Sequence, residues 1–377
     1  MKKIVIVTNI ISPYRIPLFN RLHESDDLQL KVVALAEKEE NREWQIAKKQ
    51  IKFDYVVLLG FHKFIWRKEL PIHLNWGLTR VFRRYRPDVV ITSGYDTLTY
   101  WEAFLYCKAF NRKYILWNGT TLLSTGTTGG LIGHMKRLVI KGADRYVTYG
   151  TKAAEYLEYM GALRDRIHVG LNTVDMEWYR EKVCEARSTA SFERERAKYP
   201  EFLVLYVGQL IERKGVKQLL KALDKLRDSD IGLLIIGTGP QEEEFRQFCR
   251  AQNLHNVFFK GFQQQERLPH YYAMADIFIL PSFKEVWGLV VNEALASGLY
   301  VLCSDRAGAV YDLIKEGWNG RTFNPYDVDR LAELIREIKE QIEESRARRE
   351  AISEHACREF GIEHSAKAFL DAIRSVT

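Results

Sequence analysis

Two doubly wound, parallel-sheet α/β domains of Rossmann-like type are predicted for this chain, on three observations. Short unbroken runs of Val, Ile and Leu recur along it, rather than runs alternating apolar and polar residues, so the strands are buried on both faces. Stretches of helical periodicity separate the runs, as crossovers between parallel strands require. The runs fall into two series, and 377 residues are long for a single hydrophobic core.

The first series is Ile4–Val7, Leu30–Leu35, Tyr55–Leu59, Val89–Ile91, Tyr114–Trp117 and Tyr146–Thr148. The second is Leu203–Val207, Leu233–Ile236, Val257–Phe259, Ile277–Leu280 and Tyr300–Cys303. Residues 1–172 make the first domain and 201–360 the second. Residues 173–200 are expected to be an inter-domain linker, lacking a strand signal and ending in the charged stretch Phe192–Arg196. Asp327 is a plausible N-cap for the helical pattern that follows it. Gly361 interrupts that pattern, and residues 361–377 hold a last amphipathic helix from about Glu363 to Ser375. Two such domains facing each other would set their strand ends, where doubly wound sheets bind ligands, across one central cleft.

With 46% hydrophobic and 28% charged residues the chain is globular rather than disordered. Its net charge of +7 permits an anionic partner without choosing one. Cys107, Cys184, Cys249, Cys303 and Cys357 are scattered singly with no C-x-x-C, which indicates neither a disulfide framework nor a zinc site and suits a reducing cytosol. The opening Met1–Val7 imitates a signal peptide, but Thr8-Asn9 ends the apolar run, so a first buried strand is expected. No stretch reaches the roughly 18 apolar residues of a membrane span.

The most informative stretch is Ser-Phe-Lys-Glu-Val-Trp-Gly-Leu-Val-Val-Asn-Glu, residues 282–293. Gly288 would turn the chain from a loop into a helix whose first N–H groups, at Leu289 and Val290, suit a phosphate. Glu293 lies one turn further in, within reach of a sugar on that phosphate; Glu285 stands ahead of it, where a second sugar would lie. A lone glutamate is more often a solvated surface residue, but a pair bracketing an anion site fits the two hydroxyl-rich ends of a nucleotide-sugar. After Val207, Gly208-Gln209 opens a loop toward Arg213-Lys214-Gly215. Two cations at a helix start are disfavoured by the dipole unless an anion is present, and a diphosphate would supply one. Gly237-Thr238-Gly239-Pro240 begins like a dinucleotide fingerprint, but Glu242 replaces the third glycine. It reads instead as a tight turn near ligand, with Phe262 placed to border a base.

These pieces, together with Ala275-Asp276 and Asn319-Gly320, resemble the retaining glycosyltransferases of family 4, which have the GT-B fold; the likeness is strong over about Leu203–Pro325. Tyr14–Phe19 and Asn172–Asp175 also fit. The resemblance implies a last helix crossing back to the first domain. It implies that Glu293 hydrogen-bonds the ribose, that Glu285 holds the transferred sugar, and that Lys214 with the amides of Leu289 and Val290 stabilises the leaving diphosphate. It implies a UDP- or GDP-type sugar donor as substrate, no cofactor and no metal, and no Asp-x-Asp triplet argues for one. Two departures stand out. Gln209 replaces a usual arginine, for which Arg213 would substitute, and Asn118 stands where the family often has a histidine. Asn118 hydrogen-bonds but cannot act as a base; the sequon it heads with Gly119 and Thr120 is incidental in a cytosolic chain.

Acceptor-side residues are expected in the strand-end loops of the first domain: Tyr14 and Arg15, Tyr95, Asn118, and the Thr- and Gly-rich, mobile stretch 120–128. Arg15 is equally well read as a surface arginine or a phosphate contact. Residues 61–86 mix Lys63, Arg67, Lys68, Arg80, Arg83, Arg84 and Arg86 with Phe64, Ile65, Trp66, Trp76 and Phe82. That composition suits an anionic membrane face and a lipid-linked acceptor, or a core-packing helix with a solvated basic face. The expected function is transfer of a sugar from a nucleotide-diphosphate sugar to a saccharide or lipid-linked acceptor, in surface polysaccharide or glycolipid synthesis. The expected location is cytoplasmic, with peripheral attachment to the inner face of the membrane. A sugar phosphorylase, a nucleotide-sugar hydrolase and a non-catalytic nucleotide-sugar-binding protein remain open alternatives. No recognised module supports a nucleic-acid partner.

Overall fold

The computed structural model describes residues 1–40, 44, 48–65 and 70–376. It divides into two units, residues 1–174 with 362–377 and residues 175–361.

The first unit contains, in order, β1 (Lys2–Thr8), α1 (Ile16–His23), β2 (Leu28–Ala34), β3 (Asp54–Val57), β4 (Leu59–Ile65), β5 (Leu70–Trp76), α2 (Leu78–Tyr85), β6 (Val89–Thr92), α3 (Leu98–Ala109), β7 (Lys113–Asn118), α4 (Gly130–Gly142), β8 (Arg145–Thr148), α5 (Thr151–Met160) and β9 (Ile167–Val169). Seven strands form one parallel sheet in the order β3-β2-β1-β6-β7-β8-β9, with Ile4 opposite Leu30 on one side and Val89 on the other. Side chains alternate across it: Val5, Val7 and Val90 pack with Phe82, Phe104 and Leu157, while Ile4, Ile6 and Ile91 pack with Phe19 and Phe369. Covering both faces explains why these strands read as continuous apolar runs.

The run 55–59 is not one strand. Val57 ends β3, and from Leu59 the chain leaves the sheet to pair antiparallel with β5, Leu59 opposite Trp76 and Phe61 opposite Leu74. The basic segment 61–86 is therefore part of this hairpin followed by α2; Trp66, Arg67 and Lys68 lie outside the described residues.

The second unit runs through α6 (Met176–Arg187), α7 (Phe192–Arg196), β10 (Phe202–Val207), α8 (Val216–Leu226), β11 (Ile231–Ile236), α9 (Glu242–Ala251), β12 (Val257–Phe259), α10 (Leu268–Met274), β13 (Ile277–Leu280), α11 (Leu289–Ala296), β14 (Tyr300–Ser304), α12 (Val310–Leu313), β15 (Gly320–Phe323), α13 (Val328–Glu340), α14 (Ile342–Ala347) and α15 (Arg349–Phe360). Its six parallel strands are ordered β12-β11-β10-β13-β14-β15, so the strand order reverses between β10 and β13, where Val204 faces Ile277. Ligands of such sheets bind at that reversal, outside the carboxyl ends of the strands. The Asp327 side chain caps α13, accepting from the Arg330 amide at 2.9 Å.

Residues 175–200 are not a linker. They form α6 and α7 and belong to the second unit, because Arg196 reaches the buried Asp276 at 3.1 Å, where Arg346 (3.0 Å) and Arg349 (2.9 Å) also converge. The final helix, α16 (Ile362–Arg374), packs Phe369 and Ile373 into the first unit's sheet.

Candidate active site

In the second unit, the loops at the carboxyl ends of β10, β11 and β12 are laced together backbone to backbone. The Leu210 amide donates to the Thr238 carbonyl (2.9 Å) and the Gly237 amide to the Gly261 carbonyl (2.8 Å). A Cβ at Gly237 would sit 1.9 Å from the Gly208 carbonyl oxygen, and one at Gly239 would sit 2.3 Å from that of Leu210. The glycines of both sequence motifs thus permit loop-to-loop contact. Gly261 leaves open space beside Phe262, which is half-buried. The Gln209 carbonyl accepts from the buried Tyr206 hydroxyl at 2.9 Å.

Across the reversal, the Phe283 amide donates to the Arg213 carbonyl at 2.8 Å, tying the loop after β13 to the loop after β10. The Lys214 ammonium donates to the Glu285 carboxylate, and the Arg213 guanidinium lies 3.9 Å from the same oxygen. The two cations at the start of α8 therefore already have an anion; a diphosphate is not needed to relieve the dipole conflict read from the sequence. The Glu285 backbone is pinned as well, its amide bonding to Arg306 (3.3 Å) and its carbonyl to the Gly308 amide (3.2 Å).

Gly288, at φ +99°, starts α11, and no side chain caps that terminus. The half-buried Leu289 and Val290 sit in its first turn, whose N–H groups carry the positive end of the helix dipole. Glu293 is only 9% exposed. Tyr272 donates to it at 2.7 Å, and the Tyr179 hydroxyl adjoins the same carboxylate without a directed hydrogen bond of its own. Burial outweighs both phenols and pushes the Glu293 carboxyl up to about 7. Neither tyrosine is legible as functional from the sequence: Tyr179 sits in the charged helix α6 and Tyr272 in the short α10, and neither belongs to a motif. Phe283 stacks on Tyr326 (centroids 4.8 Å, 23°), a residue that no spacing connects to the loop.

Two Asp-x-Asp triplets exist, and both are engaged in structure. Asp228 and Asp230 lie 2.6 and 3.7 Å from Lys339; Asp327 caps α13 and Asp329 pairs with Lys225 at 2.5 Å. Among the described residues no group of three or more His, Cys, Asp or Glu could hold a metal ion.

In the first unit the sheet reverses between β1 and β6, and Arg15 stands there. Its guanidinium donates to the Thr8 hydroxyl and to Tyr149 (2.7 Å) and lies 4.4 Å from the centroid of Trp117. Its Nε is buried without a partner, and no ion pair joins it to a carboxylate among the described residues. Ser93, Tyr100 and Asn9 continue the polar ring. Tyr14 is half-buried and meets Trp44 edge-on at 5.5 Å.

Two expected acceptor residues are turned inward. Tyr95 is buried, its hydroxyl bonded to Tyr156 at 2.8 Å. Asn118 is 2% exposed and donates to the Thr120 carbonyl at 3.0 Å, so it shapes its loop and its sequon is shielded. Asp96, next to Tyr95, belongs to the same strand-end loop that the sequence assigns to the acceptor side. Neighbouring protein crowds its carboxyl, and that desolvation holds it above the usual carboxylate range.

Residues 188–356 match the family described as glycosyl transferases group 1. Over 139 residues the chain is 36% identical to a sulfoquinovosyl transferase of Arabidopsis thaliana, covering 36% of this chain and 26% of that protein. Over 259 residues it is 28% identical to a D-inositol 3-phosphate glycosyltransferase of Xylanimonas cellulosilytica, covering 66% and 60%. The chain thus spans between 26% and 60% of the length of these two curated relatives. Among solved structures, a sucrose-phosphate synthase of Thermosynechococcus elongatus aligns at TM-score 0.76 and 18% identity over 100% of this chain and 99% of that one. Anabaena HepE in complex with UDP aligns at TM-score 0.72 and 16% identity over 100% of both chains. The fold is that of GT-B glycosyltransferases, and the likeness to the glycosyl transferases group 1 family lies in residues 188–356.

Proposed function

We propose that this chain is a retaining glycosyltransferase moving a sugar from a nucleotide-diphosphate sugar, of UDP or GDP type, to a hydroxyl of a saccharide or lipid-linked acceptor. The observation that carries the reading is the convergence of Lys214, Glu285, the uncapped start of α11 and the buried Glu293 at the reversal point of the second sheet. Glu293 accepts from the ribose hydroxyls, with Phe262 beside the base. The first amides of α11 and Lys214 hold the diphosphate, with Arg213 standing in for the arginine that Gln209 replaces. Glu285 orients the transferred sugar, and Lys214, released in part from Glu285, neutralises charge on the departing phosphate. Neither cofactor nor metal is required in this scheme, since side-chain cations and helix amides supply the stabilisation. Attack and departure occur on the same face of the sugar, and the leaving phosphate takes the acceptor's proton, because Asn118 cannot.

On the acceptor side, the half-buried Arg15 guanidinium, its Nε fully buried, has only neutral partners among the described residues, and a charge with little water is costly without a counter-charge. It is assigned to an anionic group of the acceptor. The segment 61–86, with Phe61 and Trp76 exposed beside basic α2, would rest on the inner face of the cell membrane and serve surface polysaccharide or glycolipid synthesis.

The test is incubation with UDP- and GDP-sugars plus candidate acceptors, with nucleotide release measured and the product's anomeric configuration read by NMR. Acceptor-dependent release with retention supports the proposal. Dependence on free phosphate indicates a phosphorylase, and donor binding without turnover indicates a binding protein.

A further inference from the structure

We propose that α4 and the loop before it form a lipid-docking surface for anionic membranes, separate from the segment 61–86. A helix covering a sheet normally turns its large apolar side chains inward. In α4 only Gly133, Val139 and Ile140 are buried. Leu131 (76% exposed), Ile132 (58%), Met135 (44%) and Leu138 (49%) point outward instead, at spacings that place them along one helical face. Leu122 and Leu123, in the preceding loop, are exposed as well.

Loop and helix are fastened together. Lys136 donates to the Thr127 carbonyl (2.8 Å) and Arg137 to that of Thr128 (3.0 Å), while Gly133 packs so closely that a Cβ there would sit 2.3 Å from the Thr128 oxygen. The apolar face is thus built in advance, and the Thr-rich loop is held rather than loose. An exposed apolar face of this kind marks an interaction site. Charge decides what kind. From Leu122 to the end of α4 there is no acidic residue, while α4 itself carries Lys136, Arg137 and Lys141. An apolar face carried on a purely basic segment matches an anionic bilayer, whose headgroups attract the cations while the acyl boundary receives the leucines. This surface does not rest on the donor-site reading, and either can fail alone.

The test is co-flotation of the full chain with vesicles of phosphatidylcholine alone or with 30% phosphatidylglycerol (~, a composition chosen to give a clearly anionic surface). Wild type and the double variant Leu131→Ser/Ile132→Ser are compared, with UDP-induced thermal stabilisation of each recorded in parallel as a check on the fold. The expected result is binding of wild type to anionic vesicles, weakened by salt. The double variant loses at least about tenfold in partitioning while its melting transition and UDP response stay as in wild type. Wild type failing to bind, or the variant binding equally well, would overturn the proposal. So would a concentration-dependent dimer that the variant abolishes, because the face would then belong to a second copy of the chain. Should the variant not fold, Lys141→Glu serves in its place, with weaker anionic-vesicle binding expected and unchanged binding contradicting the proposal.

Discussion

Lys214 and Glu285, 71 positions apart, form a largely buried ion pair that joins the loop after β10 to the loop after β13 at the point where the second sheet reverses. Removing either partner leaves a charge with little solvent. Lys214→Met and Glu285→Gln are each expected to destabilise the protein, and a double-mutant cycle by urea denaturation should give a coupling of about 1–3 kcal/mol. Additive effects would show that the pair contributes nothing beyond its members.

Glu293 makes stability depend on pH. Its folded value of about 7 lies above the ordinary 4.5, so between those limits the folded state binds more protons than the unfolded. Stability from this group is full below about pH 4.5 and declines until pH 7, by at most about 3 kcal/mol. Glu293→Gln keeps an acceptor for Tyr272 and removes the titration. The gap between variant and wild type should therefore move in the variant's favour from pH 5 to pH 8, in denaturation curves run at both. A pH-independent gap contradicts the assignment.

Glycine positions in the donor loops should differ sharply. Gly237→Ala forces φ +136° on a side chain aimed at the Gly208 carbonyl and should lose about 3 kcal/mol or more along with nucleotide binding. Gly261→Ala, at φ +67° in open space, should lose only about 1–2 kcal/mol. Equal losses would mean that the lacing of the two loops is unimportant.

Asp276 neutralises Arg196, Arg346 and Arg349 at the opposite end of β13 from the site. Asp276→Asn should destabilise the second unit by about 3 kcal/mol and expose the 188–200 segment to protease, while leaving nucleotide affinity intact once the protein is folded. Lost affinity in folded protein would place Asp276 in the site's machinery.

Much of this was legible. Strands buried on both faces announce themselves as unbroken apolar runs, so the order of β10 to β14 and the positions of Glu285, Gly288 and Glu293 followed from local pattern. What failed needed tertiary information. β9 (Ile-His-Val) and β15 (Gly-Arg-Thr-Phe) are too short and too polar to signal a strand. The 173–200 segment looked like a linker because the anchor of Arg196, Asp276, is 80 residues away. Tyr95 looked available because its loop position was readable and its Tyr156 partner was not. The two cations at the start of α8 were correctly seen to need an anion, but the chain supplies Glu285 from a distant loop.

The central claim is that the second unit holds a nucleotide diphosphate through Glu293. Thermal stabilisation by UDP, GDP, ADP and TDP, for wild type and Glu293→Ala, tests it most directly. At one hundred times its dissociation constant a ligand adds about 2.7 kcal/mol, so one nucleotide should raise the wild-type melting temperature clearly and leave the variant's nearly unmoved. Stabilisation by none of them, or an equal rise in both proteins, would contradict the account.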